Sequence, residues 1–463
     1  MIKNNLSKKD RNLILALFLA GTFMGSMDIG IIGPALPAIE QTFFITSRLS
    51  SWMYTGFILF FMLGLPIMAK LSDYYGRRRL YILDIAIFAI GSFMIATSAS
   101  FEIVLVGRAI QGLGAGGIYP VASAFIGDYF PIENRGWALG MVGSVYGISA
   151  ICAPLFGALL LGFGWQWLFI INLPIATIII LASMKLLPKT HFESHIKMDW
   201  LGLGILAILV SSLAYGINQI DSSRFVESFF SLEVMPFLAI AFILIPLILK
   251  IEKRVKEPII PIHLFKSKEI KLASALSFSY GLIHPVVIFI PSLAIVALFL
   301  NSQEASLMMI PYVITTTISA PILGRLLDKI GSKIIIISGT ISATFGLILM
   351  GLFSGNFYLF IISEILTSYG LIAIVGSPLR YIILSETQAG ERGSGQALVN
   401  FLASGGQLIG GALIGAIIAS FGEILLGYKT AYLFVAIVAI FAFVCASKLK
   451  NREEQILAIE QNL

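Results

Sequence analysis

The sequence predicts an all-α polytopic membrane protein made of two related six-helix halves with two further helices between them. Three observations carry that reading: a very apolar composition, a succession of fourteen long apolar runs, and a local pattern that recurs about 255 residues later. Of 463 residues, 58% are hydrophobic and only 12% charged, whereas a soluble domain carries roughly 25% charged residues. A soluble chain of this length would divide into domains, each coated with polar side chains. This chain lacks the residues to coat them. Cys152 and Cys445 both fall inside apolar runs, which implies no disulfide framework and no metal site.

A membrane-crossing helix needs about 20 mostly apolar residues. Broken at charge clusters and turn residues, the chain gives spans near 12–37, 48–68, 80–98, 101–127, 134–162, 166–186 and 199–220. It then gives 233–250, 271–300, 303–324, 332–353, 356–385, 393–420 and 428–448. The first run follows Lys3, Lys8, Lys9 and Arg11 without a small-residue cleavage site, so it is expected to be a retained helix rather than a removed leader. The pair between 199 and 250 is the least regular, because Pro236 and Pro246 interrupt a short run.

An even number of spans puts both ends on one side. Of 31 lysines and arginines, 26 fall in loops on the side of the amino terminus, three on the other side, and two (Arg108 and Arg380) within spans. The positive-inside rule therefore predicts cytoplasmic termini in a cell membrane, plasma or inner. It also accounts for the net charge of +6 without a nucleic-acid partner.

The recurrence is local and specific. Residues 69–79 contain Leu71-Ser72-Asp73 and Gly76-Arg77-Arg78-Arg79; residues 324–333 contain Leu327-Asp328 and Gly331-Ser332-Lys333. Asp73 and Asp328 are 255 apart, as are Gly76 and Gly331, while Arg135 and Arg392, each opening a glycine-rich run, are 257 apart. Such repeats are how many transporters are built. Six spans end near 186, so this offset leaves room for two spans between the halves. The expected organisation is an N-terminal half over 1–190, two inserted helices over 191–256, a C-terminal half over 257–450 and a cytoplasmic tail over 451–463.

With these residues in view, the chain resembles the major facilitator superfamily and, within it, the fourteen-helix drug/proton antiporter branch of multidrug efflux type. The 69–79 segment looks like the superfamily's signature loop, with Ala69 and Tyr74 departing from its usual glycine and basic residue. The run from Asp28 to Pro37 in span one is similar to a motif of the fourteen-helix branch. Gly107-Arg108-Ala109-Ile110-Gln111-Gly112 in span four is similar to the motif tied to proton coupling. Trp165 to Pro174, and Glu257-Pro258 through Phe265, look like further branch signatures. Span five departs from the antiporter motif: it has Ala153-Pro154 and Gly157-Ala158 where the motif wants glycine before proline and a glycine pair after it.

The resemblance implies roles for named residues. Gly76 gives the 69–79 loop a permissive backbone. Asp73 is expected to face the amino end of a helix, whose dipole favours an anion; Arg77 or Arg78 is expected to pair with Asp128, and Asp328 to be the second half's counterpart of Asp73. Gly143, Gly147, Pro154 and Gly157 in span five are expected to act in hinge motion and close packing, not as ligands.

Ionisable groups within spans default to functional hypotheses. Arg108 needs a partner or a wet cavity, and Gln111 lies one turn away on a similar face. Asp28 is a candidate for taking up a proton or meeting substrate, and Glu364 in span twelve is the second such carboxylate. His284 beside Pro285 carries a side chain that ordinarily titrates near neutral pH. These residues fall on the first and fourth spans of each half, which line the cavity in the resembled family. Asp84 and Arg380, nearer the cytoplasmic ends, are expected to form local ion pairs. Met27, Tyr119, Tyr280 and Tyr369 are candidates for an amphipathic cavity wall.

No nucleotide-binding Gly-x4-Gly-Lys-Ser/Thr loop and no His-Glu-x2-His metal motif occur in the sequence. The expectation is therefore a transporter and not an enzyme, with no cofactor, driven by an ion gradient or by the solute itself. Its partners are expected to be a small-molecule substrate, protons and the lipid bilayer, with no nucleic acid, and the chain is expected to be a monomer.

Overall fold

The computed structural model describes residues 7–130, 132–188, 200–221, 224–252, 262–387 and 392–455. The secondary structure is helical throughout, with no strand among the described residues. By contacts the chain divides into two compact units, the first running to Trp200 without Ile45–Ser51, the second comprising Ile45–Ser51 and everything from Leu201.

The first unit contains α1 (Lys8–Phe43), α2 (Trp52–Tyr75), α3 (Arg77–Ala96), α4 (Phe101–Tyr129), α5 (Ile132–Leu160) and α6 (Asn172–Leu186). Helix α1 starts where the Ser7 hydroxyl accepts the Asp10 N–H at 3.1 Å, a side-chain N-cap. It ends at Phe44, which turns the chain with φ 52°. α4 packs along α2 and α3, while α1 packs along α5. That last contact is tight: a Cβ on Gly30 would stand 2.6 Å from the Ala153 Cβ, and Ser26 donates to Ser149 Oγ at 2.7 Å. Aromatic packing adds to this interior, with Phe18 edge-on to Tyr81 at 4.9 Å and to Phe125 at 5.3 Å.

The second unit contains α7 (Trp200–Asn218), α8 (Met235–Glu252), α9 (Lys268–Ile283), α10 (Ile310–Phe353), α11 (Phe357–Val375), α12 (Ser377–Glu386), α13 (Arg392–Ala419) and α14 (Ile424–Ser447). At Pro285 the α-helix of α9 gives way to 3₁₀ turns over His284–Phe289, then resumes over Ile290–Leu298. Proline removes the amide hydrogen an α-helix needs there. α9 packs on α13 nearly backbone to backbone, since a Cβ on Gly281 would meet the Ala403 carbonyl at 2.2 Å. Thus α1 pairs with α5 in the first unit and α9 with α13 in the second. Helices α7 and α8 meet through Tyr215 and Phe237, with ring centroids 4.5 Å apart. Asn218 then ties α7 down, donating to Ser51 Oγ at 3.2 Å and to the Ala412 carbonyl at 3.3 Å.

Helices occupy all fourteen of the stretches marked as spans. Twelve of the candidate spans among the described residues are long and apolar enough to cross a membrane. The fifth and eighth stretches supply shorter described apolar segments, Cys152–Phe163 and Met235–Ile248. α10 carries two candidate spans, Ser302–Leu327 (with the short helix before it) and Lys329–Phe353, broken at Gly331. Large apolar side chains such as Ile178, Leu159, Phe242 and Ile243 point outward and stay more than 60% exposed. That is the inverse of a water-soluble surface and suits hydrocarbon. The protein is a multi-pass membrane protein.

The repeat seen in the sequence has a backbone counterpart. Gly76, between α2 and α3, has φ 91°, and Gly331, inside α10, has φ 79°. Both break a helix at a conformation that glycine adopts without steric cost.

Candidate functional site

The first unit brings three of the sequence-selected residues together in a fully buried network. Asp28 comes from α1, and Arg108 and Gln111, one turn apart, from α4. All three are 0% exposed. Arg108 Nη1 donates to Asp28 Oδ2 at 2.5 Å and to Gln111 Oε1 at 2.7 Å, and Nε donates to the Met53 carbonyl of α2 at 2.9 Å. The guanidinium lies 4.2 Å from the ring centroid of Phe57, a cation–π contact.

Two residues not selected from the sequence complete the network. Ser92 on α3 and Asn172 at the start of α6 are both buried. Gln111 Nε2 donates to Asp28 Oδ1 at 3.1 Å and to Ser92 Oγ at 2.7 Å. Asn172 Nδ2 donates to the same two atoms, at 3.1 and 3.3 Å. Five helices, α1, α2, α3, α4 and α6, thus converge on one carboxylate–guanidinium pair. Two polar atoms of the cluster lack a hydrogen-bond partner, Arg108 Nη2 and Asn172 Oδ1. An amide at the mouth of an apolar run was the signal that marks Asn172. A lone serine in an apolar helix gives no such signal.

The geometry decides what this cluster can do. A buried pair is stable only while its partners are satisfied; removing one member leaves an uncompensated charge. Neutralising Asp28 would take away the one anionic acceptor seen for Arg108 and leave it the Met53 carbonyl and Gln111 Oε1. Thr22, Ser26, Phe61 and Tyr119 border a small cavity of about 20 Å³, room for a single water.

The second unit holds a different arrangement. Glu364 on α11 is 1% exposed, and neither carboxylate oxygen makes a hydrogen bond among the described residues. Its electrostatic neighbours are the Tyr312 backbone amide and the Tyr432 phenol. His284 at the end of α9 has an unpartnered, buried Nδ1 and lies 5.2 Å from the Tyr280 ring. Tyr369 shares a 3.0 Å hydrogen bond with Ser338, and Met27 is buried in the first unit.

One expectation is corrected. Asp84 on α3 was expected in a local ion pair. It is instead buried with both oxygens unpartnered, its carboxylate lying 2.2 Å from where a Cβ on Gly117 would stand. Glycine at 117 leaves the room that the carboxylate fills, and no cation among the described residues reaches it. Arg380 on α12 is engaged with neighbours.

In the 69–79 segment, Arg77 Nη1 donates to Ser72 Oγ at 2.5 Å, and Arg78 donates to the Met184 carbonyl at the end of α6. The side chains of Asp73, Asp128 and Asp328 lie outside the described residues, as do residues 257–261 of the linker motif. Within α5, Pro154 and Gly157 are buried; the surroundings of Gly143 and Gly147 lie outside the described residues.

The chain matches the Major Facilitator Superfamily over residues 18–283 and again over 272–458. It is 31% identical to YfiU of Bacillus subtilis, an uncharacterized MFS-type transporter, over 84% of this chain and 76% of that one. It is 26% identical to multidrug resistance protein 3 of B. subtilis, over 88% and 79%. It is 29% identical to the riboflavin transporter RibZ of Clostridioides difficile, over 84% of each. The solved structure of the nucleoside transporter NupG superposes with a TM-score of 0.68 at 15% identity, covering 95% of this chain and all of that one.

Proposed function

The chain belongs to the major facilitator superfamily and is a secondary transporter of small molecules, and from that premise we propose that it exports amphipathic or cationic compounds in exchange for protons. The mechanism we propose is alternating access, in the fourteen-helix drug/proton antiporter branch. The organisation is six, two and six helices, with both termini in the cytoplasm and the chain a monomer in the cell membrane.

The observation that carries this reading is the Asp28–Arg108–Gln111 network. A carboxylate held at depth by one guanidinium and two amides is a site whose occupancy by a proton changes the helix contacts around it. Likeness to multidrug resistance protein 3 supports drugs as the substrate class. Glu364, with His284 and the tyrosines near it, is the second proposed acidic position, offering an aromatic and anionic surface that suits a cation. Asp73, Gly76, Arg77, Arg78, Asp128 and Asp328 are proposed to gate, and Gly143, Gly147, Pro154 and Gly157 to act in packing and hinge motion.

The test is transport by the purified protein in liposomes. With an imposed pH gradient, a fluorescent cationic dye is expected to move against its own gradient, and Asp28→Asn is expected to abolish that movement. Absence of proton-dependent movement across a broad panel of cationic and amphipathic compounds would overturn the antiporter reading. A second reading, an importer or metabolite exporter of another substrate, is favoured by likeness to the riboflavin transporter RibZ and by Ala153 and Ala158 in α5, where the antiporter motif has glycine. It predicts that riboflavin or a similar metabolite is carried while the dyes are not.

A further inference from the structure

Three lysines of the second unit stand where candidate spans end. Lys268 opens the span Lys268–Leu298, Lys333 lies in the first turn and a half of Lys329–Phe353, and Lys448 follows Ile424–Ser447. They border one cavity of about 330 Å³, together with Glu269, Lys450 and Glu454. The chain beyond α14 forms one wall of it. There Gln455 is buried and donates to Ser332 Oγ at 2.5 Å and to the Lys450 carbonyl at 3.3 Å.

The acids of this cavity are already engaged. Glu269 accepts the Lys450 backbone N–H at 3.1 and 3.2 Å, and Glu454 accepts the Asn451 N–H at 2.8 Å. The Lys450 ammonium is held by Glu386 at 2.5 Å, and Ser267 donates to the same carboxylate at 2.7 Å. Lys268, Lys333 and Lys448 make no ion pair among the described residues. Glu269 feels the charge of Lys268, but Lys268, Lys333, Lys448 and Lys450 outnumber Glu269 and Glu454 in the lining, so the cavity carries an excess of positive charge. A multivalent anion offsets that excess.

We propose that this cavity binds a phosphate-bearing anion, supplied in the membrane by the headgroup of an anionic lipid. The placement of the lysines favours the lipid: each sits at the end of an apolar span, the level of headgroup phosphates, where basic clusters recruit anionic lipid. A soluble phosphate offers the same chemistry from the aqueous side.

The test uses the purified full chain in neutral detergent and follows its thermal denaturation midpoint. Short-chain phosphatidylglycerol is expected to raise the midpoint saturably. The variant K268Q/K333Q/K448Q is expected to need at least tenfold more lipid, and K9Q/R11Q to behave like the unaltered protein. Inorganic phosphate giving the same saturable rise, lost in the same triple variant, assigns the site to a soluble anion. No stabilisation by either compound, or equal stabilisation of the triple variant, overturns the proposal, as does an equal loss in K9Q/R11Q. Should the triple glutamine variant not fold, the unaltered protein and K268R/K333R/K448R decide. Both are expected to lose the lipid effect as salt rises from about 0.1 to 1 M. Persistence of the effect at high salt refutes a charge-based site.

Discussion

Replacing Asp28 with asparagine is the sharpest perturbation of the buried network. The substitution keeps the shape and one carbonyl acceptor, but removes the only negative charge among the partners seen for Arg108. Arg108 is 0% exposed and keeps, besides the new amide carbonyl, two neutral acceptors, the Met53 carbonyl and Gln111 Oε1. Breaking a buried pair by removing one partner costs about 3–5 kcal/mol. The retained acceptors put Asp28→Asn near the lower end, about 3 kcal/mol, or roughly two powers of ten in the unfolding equilibrium. Arg108→Met is expected to cost a similar amount, because it strands the carboxylate with amide donors alone. The double variant Asp28→Leu with Arg108→Met removes both charges and is expected to return to within about 1 kcal/mol of the unaltered protein. The assay is reversible unfolding in mixed micelles, read by tryptophan fluorescence on all four members of the cycle. A loss below about 1 kcal/mol for the single variants, or simple additivity in the double, would show that Arg108 finds water and that the pair is not desolvated.

Three further outcomes follow from the geometry. Asn172→Ala removes donors to Asp28 Oδ1 and Ser92 Oγ and should cost about 1–3 kcal/mol in the same unfolding assay; full retention of stability would remove Asn172 from the network. Gly76→Val and Gly331→Val force a branched residue to φ near 91° and 79°, at about 1–3 kcal/mol each, measurable as a lower denaturation midpoint that alanine lowers less; unchanged midpoints would mean that these joints relax freely. Glu364→Gln replaces an unpartnered buried carboxyl with a neutral group of the same size, so stability should hold or rise while the proposed transport falls; a stability loss above about 2 kcal/mol would reveal a counter-charge.

Much of this was legible in the sequence because membrane helices announce themselves by length and apolarity. All fourteen marked stretches are helical, and the pairing of Asp28 with Arg108 and Gln111 lies within reach of a reader who asks how span-buried charges find partners. What stayed hidden depends on side chains meeting across helices. Ser92 carries no distinguishing pattern around it, so its place beside Gln111 follows only from how α3 and α4 pack. The lone state of Asp84 is not legible either: its place nearer the cytoplasmic end suggests a local ion pair, whereas the space beside Gly117 takes the carboxylate without a partner. The position of α7 and α8, grouped with the second unit through Asn218, likewise rests on a tertiary contact with Ser51 that no local pattern encodes.

The Asp28–Arg108 pair has an electrical consequence. Carboxylate and guanidinium together sum to no net charge, so in this arrangement the network feels almost no force from the membrane potential. Adding one proton leaves a single positive charge at that depth. The protonated state alone then senses the field, by up to about 2.3 kcal/mol per 100 mV if the charge crosses the full membrane and proportionally less at a fraction of its thickness. In the proposed antiport, voltage would thus act on the protonated state rather than on the resting protein.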